Sequence, residues 1–292
     1  MKKILARLVG FYFNILVLFA PKTAGKRAFL LFSSPQRPIL KSNHLEFFNT
    51  AHQFTFEFNG HNIQCYKWGT GSKVLVFIHG WQSHTFRWKN YIEAFSKEEF
   101  TIYAMDAPGQ GLSGGKHCNI PLFSHAIEKF LTQIPPVHTL ISHSLGSISV
   151  LYAFYRVPDL SVKQLIITGT PGEGADYVRY YEKMLGVSKR TSKAIRDAFV
   201  TYTGHLPEFF SSLRFAKAVT IPMLSIHDEG DAETPYHYAA AVHKALPHSK
   251  LITTTGFGHN LRSPEVVKYV FDFVMHNETE KAVGKTIEIN SL

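Results

Sequence analysis

Short apolar runs alternate with helix-like segments along most of this chain, and this alternation constrains the fold more than any other feature. Of the 292 residues, 45% are hydrophobic, which is enough to bury one large core. Strands that are separated by helices pair in parallel, and the helices cover both faces of the sheet. The sequence therefore predicts an α/β fold with a mostly parallel central sheet and helices on both faces. The strand-like runs are 53–58, 63–68, 74–78, 100–105, 139–142, 164–168, 222–227 and 251–254. The helix-like segments are 87–97, 122–133, 145–155 and 236–246 between them, and 265–276 after the last run.

The alternation is interrupted at about residues 173–219, where two helical patterns follow each other with no strand. Ligands of open α/β sheets bind at the edge where the strands end and the loops gather. We therefore expect a domain over residues 52–276 with a small helical cap inserted at about 173–219, followed by a polar tail over 277–292. The aromatic residues of the insertion either pack in its core or line an apolar pocket. They are Tyr177, Tyr180, Tyr181, Phe209, Phe210 and Phe215.

The positive charge of the chain is concentrated at its beginning. Residues 1–41 contain eight basic residues and no acidic one, so they account for 8 of the 9 net positive charges and leave +1 for the other 251 residues. Because these other residues are nearly neutral in sum, we do not expect a groove that binds nucleic acid. The basic residues are Lys2, Lys3, Arg7, Lys22, Lys26, Arg27, Arg37 and Lys41.

The same segment carries an apolar stretch over residues 4–20 that ends before Pro21. On a helix, Lys3, Arg7, Gly10 and Asn14 would form one narrow polar stripe. The pattern favours a helix at a membrane surface, while a membrane span, which usually needs about 20 apolar residues, and a helix docked on the protein itself stay open. The residues before Pro21 are a poor cleavage context, which disfavours secretion. We expect a membrane-associated or cytoplasmic protein with a membrane surface as a partner of residues 1–41.

The sequence gives no indication of a metal or a cofactor. It contains only two cysteines, Cys65 and Cys118, with no spacing typical of a metal site. We interpret both as packing thiols.

A candidate nucleophile lies where an apolar run changes abruptly into a helix, in the sequence Ser142-His-Ser-Leu-Gly146. Small residues two positions before and after a serine at a strand–helix junction are typical of the nucleophile elbow, here with Ser142 in place of the first glycine. The alternative is a serine that only caps the helix, but a cap does not require small neighbours. Ser144 is therefore the predicted nucleophile.

A serine needs a base within hydrogen-bond reach and an acid that orients the base. His259 lies on a glycine-rich loop after the last strand and is the predicted base. Asp231 and Asp228 both follow the strand at 222–227. We favour Asp231 as the acid because its loop leads into the next helix, and Asp228 remains the alternative.

An oxyanion site needs two backbone N–H groups directed at one point. Leu145, at the predicted helix start, and Trp81, after a strand and the sequence His79-Gly80, are the candidates. His79 and Asp106 are expected to shape their own loops.

These motifs together resemble the α/β-hydrolase superfamily over about residues 52–276, in the chain order serine, acid, histidine. The segments that carry the resemblance are His79-Gly80-Trp81, residues 106–113, residues 142–146, residues 231–235 and Gly258-His259. The resemblance implies that Ser144, Asp231 and His259 form a catalytic triad, that Trp81 and Leu145 form the oxyanion hole, and that the insertion is the cap.

The expected function is a serine hydrolase, esterase-like or lipase-like, that cleaves a carboxylic ester through an acyl-enzyme intermediate. The expected partner is a small, apolar ester. An acyltransferase or thioesterase would use the same triad, and a ligand-sensing receptor would use the same fold, because fold does not fix function.

Overall fold

The computed structural model describes residues 2–276, so the tail predicted over 277–292 lies outside the described residues. Within these residues there are eight strands: β1 His52–Phe58, β2 His61–Trp68, β3 Lys73–Ile78, β4 Phe100–Met105, β5 Val137–His143, β6 Val162–Thr168, β7 Met223–Asp228 and β8 Ser249–Thr254. The helices are α1 Lys2–Phe19, α2 Pro21–Phe32, α3 Ser42–Phe48, α4 Lys89–Ala94, α5 Ile120–Leu131, α6 Leu145–Arg156, α7 Gly174–Leu185, α8 Lys189–Thr203, α9 Ser212–Ala216, α10 His237–Ala245 and α11 Pro264–His276, with short 3₁₀ turns at Thr85–Trp88 and Pro207–Phe209.

The eight strands form one sheet in the order β1-β2-β4-β3-β5-β6-β7-β8. The pairs β1–β2 and β2–β4 are antiparallel, and all the other pairs are parallel. The predicted fold class is therefore confirmed. The chain runs outward from β3 to β4 and then returns to the other side of β3 as β5. This reversal makes the ends of β3 and β5 the switch point, where open α/β sheets bind their ligands.

The strands at the centre of the sheet are covered on both faces. Leu75 and Phe77 of β3 belong to a large apolar cluster that also contains residues of α3, α4 and α11. The alternate residues Val74, Val76 and Ile78 are buried as well, on the opposite face of the same strand. Burial of both faces explains why the sequence of β3 is continuously apolar rather than alternating.

The contacts divide the described residues into two compact units: residues 36–172 together with 212–276, and residues 2–35 together with 173–211. The first unit contains the sheet, and α9 belongs to it. The second unit is helical, and its apolar core combines residues of α1 and α2 with residues of α7 and α8, among them Phe13, Phe29, Tyr181 and Phe199.

Helices α2 and α3 are absent from the sequence-based prediction. Pro21 ends the apolar helix as expected, but it is also the first residue of α2. Proline suits that position because the first N–H of a helix has no intrahelical acceptor. None of the helices within residues 2–276 has both the length and the apolar character needed to cross a bilayer. Cys65 and Cys118 are free and buried.

Candidate active site

Ser144 lies at the sharp turn between β5 and α6, with a backbone φ of 53° and ψ of −126°. Positive φ is costly for a residue with a Cβ atom, and it persists where the surroundings impose it. Two glycines, Gly80 and Gly146, allow the segment after β3 to pack tightly against the turn at Ser144. A Cβ atom on Gly80 would lie 2.8 Å from Ser144 Cβ, and one on Gly146 would lie 2.4 Å from the carbonyl oxygen of His79. The strand–turn–helix context predicted for the elbow is present.

A continuous chain of hydrogen bonds joins the three predicted catalytic side chains. Ser144 Oγ lies 2.9 Å from His259 Nε2, and His259 Nδ1 lies 2.8 Å from Asp231 Oδ2. These residues come from the ends of β5, β7 and β8, which meet at one edge of the sheet because their strands are parallel. Ser144 and Asp231 are buried, and the His259 side chain is 10% exposed. The arrangement provides a hydroxyl, a base and an orienting carboxylate in hydrogen-bond order.

Asp231 is held in place by its own loop. Its Oδ1 accepts hydrogen bonds from the backbone N–H groups of Glu233 and Thr234, both at 2.9 Å, and its Oδ2 accepts one from Thr234 Oγ1 at 2.6 Å. Burial acts to raise the pKa of Asp231, but the hydrogen bonds from His259 and Thr234 outweigh it and lower the pKa to about 2. The carboxyl group is therefore ionised at neutral pH. It accepts a hydrogen bond from His259 Nδ1, which carries a proton in this arrangement.

The alternative acid, Asp228, has different contacts. Its carboxylate accepts hydrogen bonds from the backbone of Gly230 and Phe257 and from Thr254 Oγ1, at 2.9–3.0 Å. It thereby ties the loop after β7 to the start of the loop that carries His259. The structure thus brings Asp231, and not Asp228, into hydrogen-bond contact with His259.

The predicted oxyanion groups lie on two segments that meet at the elbow. Ile78 of β3 pairs with Ser142 of β5, so the segment that leads to Trp81 runs beside the turn at Ser144. Leu145 is the first residue of α6, and its N–H is one of the helix N-terminal groups that have no acceptor within the helix. The two segments are therefore neighbours at the edge of the sheet where Ser144 lies.

The loop that carries His259 is fixed through three successive carbonyl groups. His143 Nε2 donates to the carbonyl oxygen of His259 at 2.8 Å, Arg87 donates to that of Asn260 at 2.9 Å, and Tyr91 Oη donates to that of Leu261 at 2.6 Å. We call these three side chains the loop clamp. All three donors are buried, and Leu261 has a positive φ of 47°, so the clamp holds a turn that the chain would not readily adopt alone.

The protonation states of the loop clamp follow from its burial. Burial, followed by the positive charge of Arg87, keeps the pKa of His143 well below its ordinary value, so the ring is neutral at pH 7. Burial also lowers the pKa of Arg87 to about 9, with a further contribution from Arg262, which leaves Arg87 cationic at neutral pH. Its guanidinium lies 4.5 Å from the ring centre of Trp88. Sequence reasoning missed the clamp because its members only become neighbours in the folded chain.

Three other residues act on the loops around the elbow. His79 Nδ1 bonds the carbonyl of Gly80 at 2.8 Å, and its Nε2 accepts from Ala107 N at 2.9 Å. Asp106 accepts hydrogen bonds from Thr85 and from the backbone of Leu112. Ser142 Oγ donates to the carbonyl of Ile166 at 3.2 Å, which shows how the elbow accommodates a serine where glycine is usual.

The aromatic residues of the insertion do not form one group. Tyr181 and Phe210 are buried in the helical unit, and Tyr181 Oη donates to the carbonyl of Ala28 at 2.9 Å. Phe215 is buried in the unit that contains the sheet, and Tyr180 is 70% exposed. Of the two interpretations given to these residues, core packing describes Tyr181, Phe210 and Phe215.

The fold and this arrangement at its switch point define an α/β protein with a hydrolase-like site. The profile of the serine aminopeptidase S33 family matches residues 70–213, and that of TAP-like proteins matches residues 210–284. The α/β hydrolase domain-containing protein 10 from mouse aligns with a TM-score of 0.58 at 16% identity, over 78% of this chain and 100% of that structure. The chain belongs to the α/β-hydrolase superfamily.

Two curated relatives are hydrolases. The pimeloyl-[acyl-carrier protein] methyl ester esterase of Nitrosomonas europaea is 25% identical over 97 residues, which are 33% of this chain and 37% of the relative. The monoacylglycerol lipase of Mycolicibacterium smegmatis is 28% identical over 89 residues, 28% of this chain and 31% of the relative. The chain thus matches about a third of the length of these relatives.

Proposed function

We propose that the protein is a serine hydrolase that cleaves an apolar carboxylic ester through an acyl-enzyme intermediate. The observation that carries the proposal is the chain of hydrogen bonds from Ser144 Oγ through His259 to Asp231, at 2.9 and 2.8 Å. A serine hydroxyl is a weak nucleophile, and a base in contact with it makes attack on a carbonyl carbon feasible at neutral pH.

In the first half of the proposed reaction, Ser144 Oγ attacks the ester carbonyl carbon while its proton moves to His259 Nε2. The carbonyl oxygen becomes negatively charged and is stabilised by the N–H groups of Trp81 and Leu145; one such donor typically contributes ~3–4 kcal/mol. Collapse of this intermediate breaks the bond to the leaving alcohol, which takes the proton from His259. Asp231 stays ionised and stabilises the imidazolium that forms in between.

In the second half, a water molecule attacks the acyl-enzyme and gives its proton to His259. The second tetrahedral intermediate collapses, His259 returns the proton to Ser144 Oγ, and the carboxylic acid leaves. The same groups thus act twice, and the chain returns to its starting state.

The proposed substrate class is an apolar ester. The relatives named above act on a methyl ester and on monoacylglycerol, according to their names. A thioesterase or an acyltransferase would use the same residues, with a thioester as the substrate or with an alcohol or amine in place of water. Product analysis with competing nucleophiles distinguishes these outcomes from hydrolysis.

A fluorophosphonate probe tests the nucleophile directly. The wild-type protein should be labelled and should hydrolyse p-nitrophenyl esters, whereas Ser144→Ala should lose the label and lose about 10⁴-fold or more in kcat. Ser149→Ala is the matched control, since Ser149 is buried in α6, the helix that follows Ser144, and its Oγ has no partner within the described residues. Labelling that survives Ser144→Ala would remove the enzyme proposal.

The acyl chain of the substrate is tested with p-nitrophenyl esters of two to twelve carbons. We expect kcat/KM to rise with chain length, because each buried methylene adds apolar contact. A flat profile would contradict an apolar acyl group while leaving the proposed chemistry intact.

We also propose that residues 1–41 place the enzyme at a membrane surface. The support is their composition, with eight basic residues and no acidic one around an apolar helix. A membrane location would bring the site close to lipid-derived esters.

A further inference from the structure

Helix α1 exposes a continuous apolar face. Ile4, Leu8, Phe11, Ile15 and Leu18 recur at intervals of four and three residues, so they lie along one line of the helix. With their neighbours they form the α1 face, whose side chains are between 43% and 83% exposed. Its members are Ile4, Leu5, Leu8, Phe11, Tyr12, Ile15, Leu18 and Phe19. Single exposed apolar residues are common on proteins, but a contiguous patch of this kind marks an interaction surface.

The opposite face of α1 is fixed to the helical unit, so the α1 face always points outward from that unit. Phe13 and Val17 are buried, and a Cβ atom on Gly10 would lie 1.9 Å from the carbonyl oxygen of Leu185. The close contact shows that α1 and the end of α7 pack with no room for a side chain at Gly10.

Asn14 of α1 also forms hydrogen bonds with the segment that joins α7 to α8. Its Oδ1 accepts hydrogen bonds from Ser188 N at 2.7 Å and Thr191 Oγ1 at 2.8 Å, and its Nδ2 donates to the carbonyl of Gly186 at 3.2 Å. It therefore satisfies backbone groups at the end of α7 and just before α8. The polar stripe predicted from the sequence is in part this packing face: Gly10 is buried in it and Asn14 is half-buried.

Basic side chains border the α1 face. Arg7 packs over Gly186 on one flank, and on the other flank Arg27 of α2 donates to Tyr12 Oη. A shallow, open cavity beside Arg7 is lined by five more basic residues and by two acidic ones. Three of the basic residues form ion pairs: Arg179 with Asp176, Lys193 with Asp197 and Arg196 with Glu208. The basic residues are Arg179, Lys183, Lys189, Lys193 and Arg196, and the acidic ones are Glu182 and Asp197.

We propose that the α1 face inserts into the surface of an anionic phospholipid bilayer, with the helix lying in the plane of the membrane. Arg7, Arg27 and the cavity residues Lys183 and Lys189 would contact headgroup phosphates while the apolar side chains enter the region of the acyl chains. The proposal rests on the membrane association proposed above and is independent of the chemistry at Ser144.

Charge favours an anionic bilayer as the partner of the α1 face, and packing favours a helix that lies in the membrane plane. A second copy of the chain would bring two sets of basic residues together with no acid from residues 1–41 to pair with them. An anionic bilayer supplies the opposite charge. Because protein covers one side of α1 at Gly10, Phe13 and Val17, only the other side can contact lipid, which is the geometry of a helix in the membrane plane.

Flotation with vesicles tests the proposal on the full chain. The protein should float with vesicles of phosphatidylcholine and phosphatidylglycerol at 7:3 and about tenfold less with phosphatidylcholine alone, and the difference should shrink in 0.5 M salt. The double variant Leu8→Glu/Phe11→Glu should bind the anionic vesicles about tenfold less or weaker still, because two apolar side chains that enter the bilayer become charged.

The matched control is Tyr155→Glu/Val157→Glu, which places the same charges on exposed apolar positions at the end of α6, in the unit that contains the sheet. This variant should bind vesicles like the wild type, and so should Ser144→Ala, which separates docking from catalysis. Circular dichroism and hydrolysis of a water-soluble ester show that each double variant is folded.

Four results would overturn the proposal. The first is the absence of binding to anionic vesicles, and the second is equal binding by the wild type and Leu8→Glu/Phe11→Glu. The third is a dimer in sedimentation velocity that the same double variant dissociates, which would assign the α1 face to a second copy. The fourth is resistance to an alkaline carbonate wash, which would contradict a helix in the membrane plane.

Discussion

The sharp turn at Ser144 depends on the glycines that pack against it. Its φ of 53° turns the chain from β5 into α6 within one residue. The turn brings Gly80 next to Ser144 and Gly146 next to His79, both at distances that exclude a Cβ atom. The strain at Ser144 is of the order of 1–3 kcal/mol, and tight packing on both sides of the elbow maintains it.

Gly146→Ala tests this packing. The new methyl group would meet the carbonyl oxygen of His79 at 2.4 Å and that of Ile78 at 2.9 Å, so the elbow or β3 must move. We expect about 1–3 kcal/mol less stability and a fall in kcat of tenfold or more, because the movement displaces Ser144 from His259. Urea unfolding and ester hydrolysis measure the two effects.

Gly60→Ala provides the comparison for that variant. Gly60 has a φ of 74° in the β1–β2 turn, with nothing within 4 Å of a new Cβ atom. The Gly60→Ala variant should be ~1–2 kcal/mol less stable, because alanine is disfavoured in the left-handed backbone conformation. Its activity should be unchanged. Equal kcat values for the two variants would contradict a catalytic effect of packing at the elbow.

At the scale of elements, the loop after β8 needs more than its own sequence to place His259. The loop clamp fixes three consecutive carbonyl groups with donors from the end of β5, the 3₁₀ turn at Thr85–Trp88 and α4. Buried carbonyl groups need partners, and here each partner also sets the position of the loop that carries His259. The clamp therefore couples the packing of α4 to the distance between His259 and Ser144.

Tyr91→Phe removes one contact of the loop clamp. The carbonyl of Leu261 would lose its partner, which typically costs about 1–3 kcal/mol, and the loop should gain freedom near His259. We expect kcat to fall about three- to tenfold with little change in KM for a short ester. Steady-state kinetics on p-nitrophenyl acetate measures both constants.

Tyr181→Phe makes the same chemical change in the helical unit, where Tyr181 Oη bonds the carbonyl of Ala28 at 2.9 Å. It should lose a similar amount of stability and keep kcat. If both variants had the same kcat, the Tyr91 hydroxyl would have no positioning role.

Patterns within one element predicted most of the elements, and contacts between elements explain what was missed. Alternating and continuous apolar runs located all eight strands, and small residues around Ser144 located the elbow. Asn14 appeared as part of a polar stripe, but in the structure it caps the helices on either side of Gly186. Arg87 has no local signal, because a buried arginine is explained only by the carbonyl of Asn260, 173 residues away.

Across the whole molecule, charge is separated along the sequence. Residues 1–41 hold 8 of the 9 net positive charges, so salt should act mainly on interactions of this segment. The remaining chain is nearly neutral at pH 7, and individual buried carboxyl groups contribute to its response to acid. Asp228 and Asp231 are both buried, and the pKa of each lies below its ordinary value.

The low pKa of Asp231 predicts how the stability of the molecule changes with pH. Its pKa falls from 3.8 to about 2 on folding, so the ionised form contributes about 2 kcal/mol that is present above pH ~4 and is lost as the pH falls towards 2. Asp231→Asn removes this contribution. At pH 6 the variant should be about 2 kcal/mol less stable than the wild type, and the difference should shrink between pH 4 and pH 2. Urea unfolding at several pH values measures the difference.

Asp272→Asn serves as the control because Asp272 is a partly exposed surface carboxylate paired with Lys268, and such pairs contribute little. A difference between Asp231→Asn and the wild type that stayed constant from pH 6 to pH 2 would show that the ionisation of Asp231 does not stabilise the fold.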